Sequence, residues 1–291
     1  MKLKIIILLI FLITILTIVF LNGNIIMQKE LENNNILLSV EPEYKNYAFG
    51  QRIWIRAKVI NNSTNNYYLK DLFDEFGIKL NIVDPKSTKL TNSIIVDYMI
   101  YDSIKLEPNN SYENIFPLDN YINGLNSIEG TYKIQANYQD LVSKTVYIKM
   151  SHPVGDLEDQ YLIFKSLFNV NNTIGNSGKS YDIEKSMEFL QKNKNSIYSP
   201  DLYDKVLIAY LMTGNKNQID SIVKSFFQNY SNSYTSKFII DHYYNFLRKN
   251  GYGEEDAIIK LNEIKIEYKG SKTESIIETY TNELAKKKIM K

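Results

Sequence analysis

Hydrophobic and polar positions along this chain follow two different rules. From about Asn34 to Met150, apolar residues recur at every second position. Ile53, Ile55, Ala57 and Val59 alternate with Trp54, Arg56, Lys58 and Ile60. Tyr132, Ile134, Ala136 and Tyr138 alternate with Lys133, Gln135 and Asn137, and Val146, Ile148 and Met150 with Thr145, Tyr147 and Lys149. Successive strand side chains point to opposite faces, so each segment predicts a strand with one face on a core. Further strands are expected over 36–40, 78–83, 93–100 and 112–116. Turn signals separate them, among them Phe49-Gly50, Asp84-Pro85, Pro108-Asn109-Asn110 and Glu129-Gly130. About seven short strands at this spacing predict a two-sheet β-sandwich.

Past His152-Pro153-Val154-Gly155-Asp156 the period changes. Apolar residues now recur at i, i+3, i+4 and i+7, the spacing of one helix face. Leu157, Tyr161, Phe164 and Phe168 form the first stripe, and Ile183, Met187 and Leu190 the second. Leu202, Val206, Ala209 and Tyr210 form a third, opened by Pro200 near the first helical position. Stripes at Ile219 to Tyr230, Phe238 to Leu247, Ala257 to Tyr268 and Ile276 to Leu284 make seven helices. Asp156, Glu158 and Asp159 open the first helix, where carboxylates offset the dipole and cap free N–H groups.

The turns between helices repeat. Tyr210-Leu211 leads to Gly214-Asn215, and Phe246-Leu247 leads to Gly251-Tyr252, a shift of 36 or 37 residues. Tyr230-Ser231-Asn232-Ser233 recurs 38 residues later as Tyr268-Lys269-Gly270-Ser271. A period in the mid-thirties built from helix pairs resembles tetratricopeptide-like repeats, with no Trp opening a repeat and no Pro closing one. That resemblance implies three hairpins and a capping helix, stacked so that neighbours bury a continuous core. In the strand half, Tyr44 to Gly50, Ile53-Trp54-Ile55 and the exit Asn61-Asn62-Ser63 resemble immunoglobulin-like domains of bacterial envelope proteins. Leu106-Glu107-Pro108 and Gly130-Thr131-Tyr132 match their later turn and penultimate strand. The expected organisation is therefore multidomain. Residues 1–27 are a signal segment, 34–151 an all-β immunoglobulin-like sandwich and 155–291 an all-α tetratricopeptide-like domain.

The signal segment rests on Lys2 and Lys4 followed by an uncharged run from Ile5 to Met27. About 20 such residues cross a ~30 Å hydrocarbon core as a helix. The exit Leu21-Asn22-Gly23-Asn24 is a poor cleavage sequence. The segment reads as an uncleaved signal anchor or a cleaved signal peptide. The positive-inside rule then turns everything after Met27 outward, so the expected location is the bacterial cell envelope, anchored or secreted.

Composition narrows the function classes. Removing Lys2 and Lys4 from 34 basic residues leaves 32 against 33 acidic ones, which gives no basic excess for nucleic acid. The chain has no Cys, so disulfides, thiol catalysis and thiolate metal sites are excluded. Gly175-Asn176-Ser177-Gly178-Lys179-Ser180 ends like a phosphate loop, but Thr173 stands where the motif needs Gly, and a helix precedes it instead of a strand. Asp71, Asp74 and Glu75 read as a polar loop. His152 lies in the linker, and His242, on the fifth stripe, lacks a second His to close a metal site. No catalytic residue, cofactor or metal is assigned.

What remains is aromatic surface, since 23 Tyr exceed the needs of the core. Tyr supplies contact area at low entropic cost. Tyr244, Tyr203, Tyr234 and Tyr252 are the candidate groove residues for a protein or peptide partner in the envelope. Residues 5–27 are the candidate membrane contact. The alternatives are a carbohydrate-binding or protease-inhibitor-like sandwich, and a hydrolase with carboxylates and Tyr at the domain junction.

Overall fold

The computed structural model describes residues 35–69, 77–90, 103–119, 121–122, 128–171 and 182–289. The signal segment expected over 1–27, the strand expected over 93–100, and the loop and turn expected at Asp71 to Glu75 and Gly175 to Ser180 lie outside the described residues. Among the described residues no helix is long and apolar enough to cross a membrane.

Among the described residues a β-rich part comes first and a helical part of seven helices follows, as the change of period predicts. The first sheet joins β1 (Ile36–Pro42), β3 (Trp54–Asn61) and β8 (Ser111–Pro117) in the order β1-β3-β8, all antiparallel. The second has the order β2-β11-β9-β5-β6. Its strands are β2 (Asn46–Ala48), β5 (Lys79–Val83), β6 (Lys89–Leu90), β9 (Gly130–Tyr138) and β11 (Val146–Ser151), with β10 (Leu141–Val142) also on β9. β2 and β11 pair in parallel, with Tyr47 opposite Met150. β4 (Tyr67–Leu69) and β7 (Ile104–Leu106) form a separate ribbon. The alternating residues meet in one core: Leu38, Ile55, Ala57 and Val59 from one sheet, and Ile82, Tyr132, Ile134, Ala136 and Met150 from the other.

Two local devices fix the strand ends. Asn61 is fully buried, and all four of its amide hydrogen-bonding positions are used. Nδ2 donates to the carbonyls of Asn65 (2.8 Å) and Leu106 (2.9 Å), while Oδ1 accepts from Ser63 N (3.0 Å) and Oγ (2.6 Å). The Asn-x-Ser exit is thus an internal turn clasp. Gly130 opens β9 at φ +135°, where a Cβ would meet Pro85 Cβ at 2.7 Å, so only glycine fits.

The helices are α1 (Asp156–Asn171), α2 (Ile183–Lys192), α3 (Ser199–Thr213), α4 (Lys216–Tyr230), α5 (Ser236–Lys249), α6 (Glu254–Glu267) and α7 (Lys272–Ile289). Asp182 caps α2 by accepting from Lys185 N at 3.0 Å. Gly214 ends α3 in the left-handed region at φ 72°. The repeat is sharper than the turns alone indicate. Ser199, Ser236 and Thr273, each fully buried, open α3, α5 and α7 at a spacing of 37 residues, and Ser236 Oγ lies 3.0 Å from Thr273 Oγ1. The same shift superposes Leu202, Ile239 and Ile276, all buried. Small hydroxyl residues let these helix starts approach closely, and each hydroxyl has a partner.

The two halves share a core where the sequence pattern treats them as separable. Trp54 lies on the strand face opposite Ile55, Ala57 and Val59, yet it is 1% exposed. It is buried by the helical half, with its ring centroid 4.8 Å from that of Phe238 on α5. Ala48 and Ile115 join the same cluster. The helices that open with the repeated hydroxyl thus turn their shared side to the strand half.

Candidate functional site

Among the described residues, two places bring chemistry together. The first is the junction of the halves. Arg52 stands in the turn before β3, its side chain only 10% exposed. Its backbone N–H donates to Asp201 Oδ2 (3.2 Å) and its Nε to Asp119 Oδ2 (2.9 Å). Nη1 lies 3.7 Å from both Asp201 Oδ1 and Asp204 Oδ2. The guanidinium carbon also sits 5.2 Å from the Phe238 ring centroid and 5.8 Å from that of Trp54. Burial opposes the Arg52 charge, and the three carboxylates more than offset that. His242 adds Nε2 at 3.4 Å from Asp204 Oδ1, so its neighbour is a carboxylate of α3.

A second clasp lies beside the first. Glu43 Oε1 accepts from Tyr234 N (2.7 Å) and from Lys272 Nζ (3.3 Å). The same ammonium is 4.1 Å from the Tyr234 ring centroid and 5.7 Å from that of Tyr44. Lys272 opens α7, where a cation opposes the helix dipole, and these partners compensate it. Tyr198 Oη donates to the Phe49 carbonyl at 3.0 Å, and Lys237 Nζ to Asn114 Oδ1 at 2.6 Å.

Glu43 and Asp201 both line a recess of about 140 Å³ at this junction. Both oxygens of Asp201 are bonded, to Arg52 N and to Thr235 Oγ1 (3.4 Å), and Glu43 is held from two helix starts. The arrangement acts as a latch: removing Arg52 leaves Asp201 and Asp204 buried without their cation, and removing Lys272 does the same to Glu43.

The latch makes stability depend on pH. Full burial pushes the Asp201 carboxyl up to about 6, against the pull of Arg52. Burial also raises Glu43, and the adjacent Asp204 carboxylate raises His242. A folded-state value above the unfolded one contributes stability at low pH that is lost as pH rises through the folded value. All three groups therefore act in the same direction. Urea unfolding midpoints at several pH values should show Asp201→Asn flattening the fall in stability between about pH 4 and 7. An unchanged pH slope in that variant would remove Asp201 from the latch.

The second place is a cleft of about 360 Å³ between α4, α5 and α6. Tyr243, Tyr252 and Tyr268 line it, with Asp220 and Lys224 from α4 and Lys260, Glu263 and Glu267 from α6. Tyr243 Oη donates to Asp220 Oδ1 at 2.9 Å. Burial and the neighbouring Glu267 push the Tyr268 phenol up to about 12.

The four expected groove tyrosines divide. Tyr252 is 41% exposed and lines this cleft. Tyr203, Tyr234 and Tyr244 are buried, which corrects their expected exposure. Tyr203 bonds Ser225 Oγ at 2.9 Å inside the α3–α4 hairpin, Tyr234 stacks over Lys272, and Tyr244 packs edge-on against Tyr280 at 5.5 Å. The faces on which they lie are covered by the neighbouring helices or, for Tyr234, by the strand half. Tyr268 is the cleft residue that sequence reasoning left out, whereas Tyr243 stands on the apolar stripe of α5. Tyr268 carried a usable signal, because it repeats Tyr230 at 38 residues. Arg52, Asp201 and Asp204 carried none, since isolated charges beside apolar stripes look like solvated surface. Among the described residues no group of three or more His, Asp or Glu is arranged to hold a metal ion.

No family model matches this chain, and no curated protein matches it. Solved structures that resemble part of it do so weakly. They include a β-glucosidase from Listeria innocua (11% identity, TM-score 0.27) matched over 41% of this chain and 16% of its own. The alkylpurine DNA glycosylase AlkC from Pseudomonas fluorescens aligns at 10% identity and TM-score 0.27, over 40% of this chain and 30% of its own. The sporulation control protein Spo0M from Bacillus subtilis aligns at 10% identity and TM-score 0.25, over 45% of this chain and 55% of its own. The chain spans less than two thirds of each.

Proposed function

We propose that this chain is a non-enzymatic binding protein of the bacterial cell envelope, an immunoglobulin-like sandwich latched to a tetratricopeptide-like helical domain. Residues 5–27 carry it to the envelope, as an anchor or a secretion signal. The sandwich reading is supported by the strand order β2-β11-β9-β5-β6 opposite β1-β3-β8, with the parallel β2–β11 edge. It is also supported by Tyr132 near the start of β9. Its hydroxyl bonds the backbone N–H (2.9 Å) and carbonyl (3.0 Å) of Ile128, as in the tyrosine corner of such domains. The repeat reading is supported by the 37-residue register of Ser199, Ser236 and Thr273.

The observation that carries the binding reading is the tyrosine-lined cleft of α4, α5 and α6. The strand half already occupies the side of α3 and α5 that carries Asp201, Asp204, Lys237 and Phe238. The cleft lies away from that side and is open to a partner. A photo-crosslinking residue at Tyr252 should capture a discrete envelope protein, whereas one at Tyr147, exposed on β11, should not. Tyr252→Ala should shift stability by no more than about 0.5 kcal/mol, as an exposed residue does. Equal capture from both positions would defeat the assignment.

A further inference from the structure

We infer that the cleft along α6 takes an extended polypeptide segment bearing lysine or arginine side chains. This rests on the binding reading above and names the chemistry of its partner. The cleft continues into a second recess, of about 390 Å³, at the Asn250 to Tyr252 turn. The two share Tyr252 and Lys260, so together they form one trough beside α6. A 14-residue helix is about 21 Å long, which matches about six residues of extended chain.

The charge of the trough selects the occupant. Asp220, Asp256, Glu263 and Glu267 line it, against Lys224 and Lys260. Lys260 Nζ is 2.8 Å from Glu263 Oε2, which removes one charge of each sign and leaves Asp220, Asp256 and Glu267 against Lys224. The remaining potential is negative, and it lies beside phenolic ring faces that attract cations. Ile259, 55% exposed at the recess, offers apolar area to the stem of a long basic side chain. The protein uses the same combination internally, where the Lys272 ammonium meets Glu43 and the rings of Tyr234 and Tyr44.

The test uses the purified full chain and two fluorescein-labelled decapeptides, one alternating Lys and Ala and one alternating Glu and Ala. In anisotropy titrations the Lys peptide should bind and the Glu peptide should not. Raising salt from about 50 to 500 mM should weaken binding, as exposed charge pairs require. The double variant Glu263→Lys and Glu267→Lys should weaken it about tenfold or more, with Tyr252→Ala lowering it in the same direction. Glu263→Gln with Glu267→Gln serves as the milder variant, and circular dichroism verifies the fold of each. Binding of the Lys peptide that ignores all these changes would overturn the inference. Binding of the Glu peptide, lost in Tyr252→Ala, would overturn the basic partner while leaving the cleft as a binding site. If neither peptide binds, the inference falls, and the binding reading stands or falls on the crosslinking result.

Discussion

Arg52→Leu should cost about 3–5 kcal/mol of unfolding free energy, the usual penalty for breaking a buried ion pair by removing one partner. The guanidinium faces Asp119, Asp201 and Asp204, and the last two are 4% and 2% exposed. Leucine fills much of the volume but leaves two carboxylates in a poorly hydrated junction. Urea titration followed by circular dichroism and by Trp54 fluorescence should show a lower midpoint. It should also split one transition into two, because Trp54 reports the junction and the helices report the stack. Adding Asp201→Asn and Asp204→Asn to Arg52→Leu should recover most of the loss, since the stranded charges are then gone. A change under about 1 kcal/mol in the single variant would show that apolar contact around Trp54, and not the latch, holds the halves together.

The second large effect is in the helical core. Phe226 is fully buried on α4, with ring centroids of Phe227 at 5.3 Å, Tyr203 at 5.8 Å and Tyr230 at 6.0 Å. Phe226→Ala should cost about 3–5 kcal/mol, because the transfer loss is joined by the cavity left among rigid rings. Tyr244→Ala should also destabilise, by about 2–4 kcal/mol, since Tyr244 is 7% exposed and braced by Tyr280. From the helical stripe alone Tyr244 is a groove residue whose loss leaves stability unchanged. Its burial reverses that expectation. Thermal melts of the two variants decide it: a Tyr244→Ala midpoint equal to that of the parent would contradict its burial. In a stack of hairpins such losses pass to neighbours, and the coupling through α3 and α5 carries part of them to the strand half.

Much of the architecture is legible in the sequence because it depends on local periodicity. The patterns at 36–40, 53–60, 78–83, 112–116, 132–138 and 146–150 mark six strands, and all but 112–116, where the adjacent Ile115 and Phe116 are both buried, bury the side that the pattern assigns to a core. Stripes at 3.6 spacing mark the seven helices of the described residues, and Gly214 marks a helix end. Strands of two or three residues, such as β2, β6 and β10, escape because a period of two needs more residues to register.

A stripe says which residues share a face. It does not say what covers that face. Trp54 stands on the wetter side of its strand and is buried only because α5 lies there. Tyr203, Tyr234 and Tyr244 lie where neighbouring elements close over them. Arg52 and Asp201 are 149 residues apart, and nothing near either of them signals the other. A charge enters a core only when its partner arrives with it, since desolvation is unfavourable for each alone. Local sequence therefore fixed the elements and their inward faces. The long-range docking of the two halves, which no local pattern encodes, decided which charges became a latch and which tyrosines stayed open to a partner.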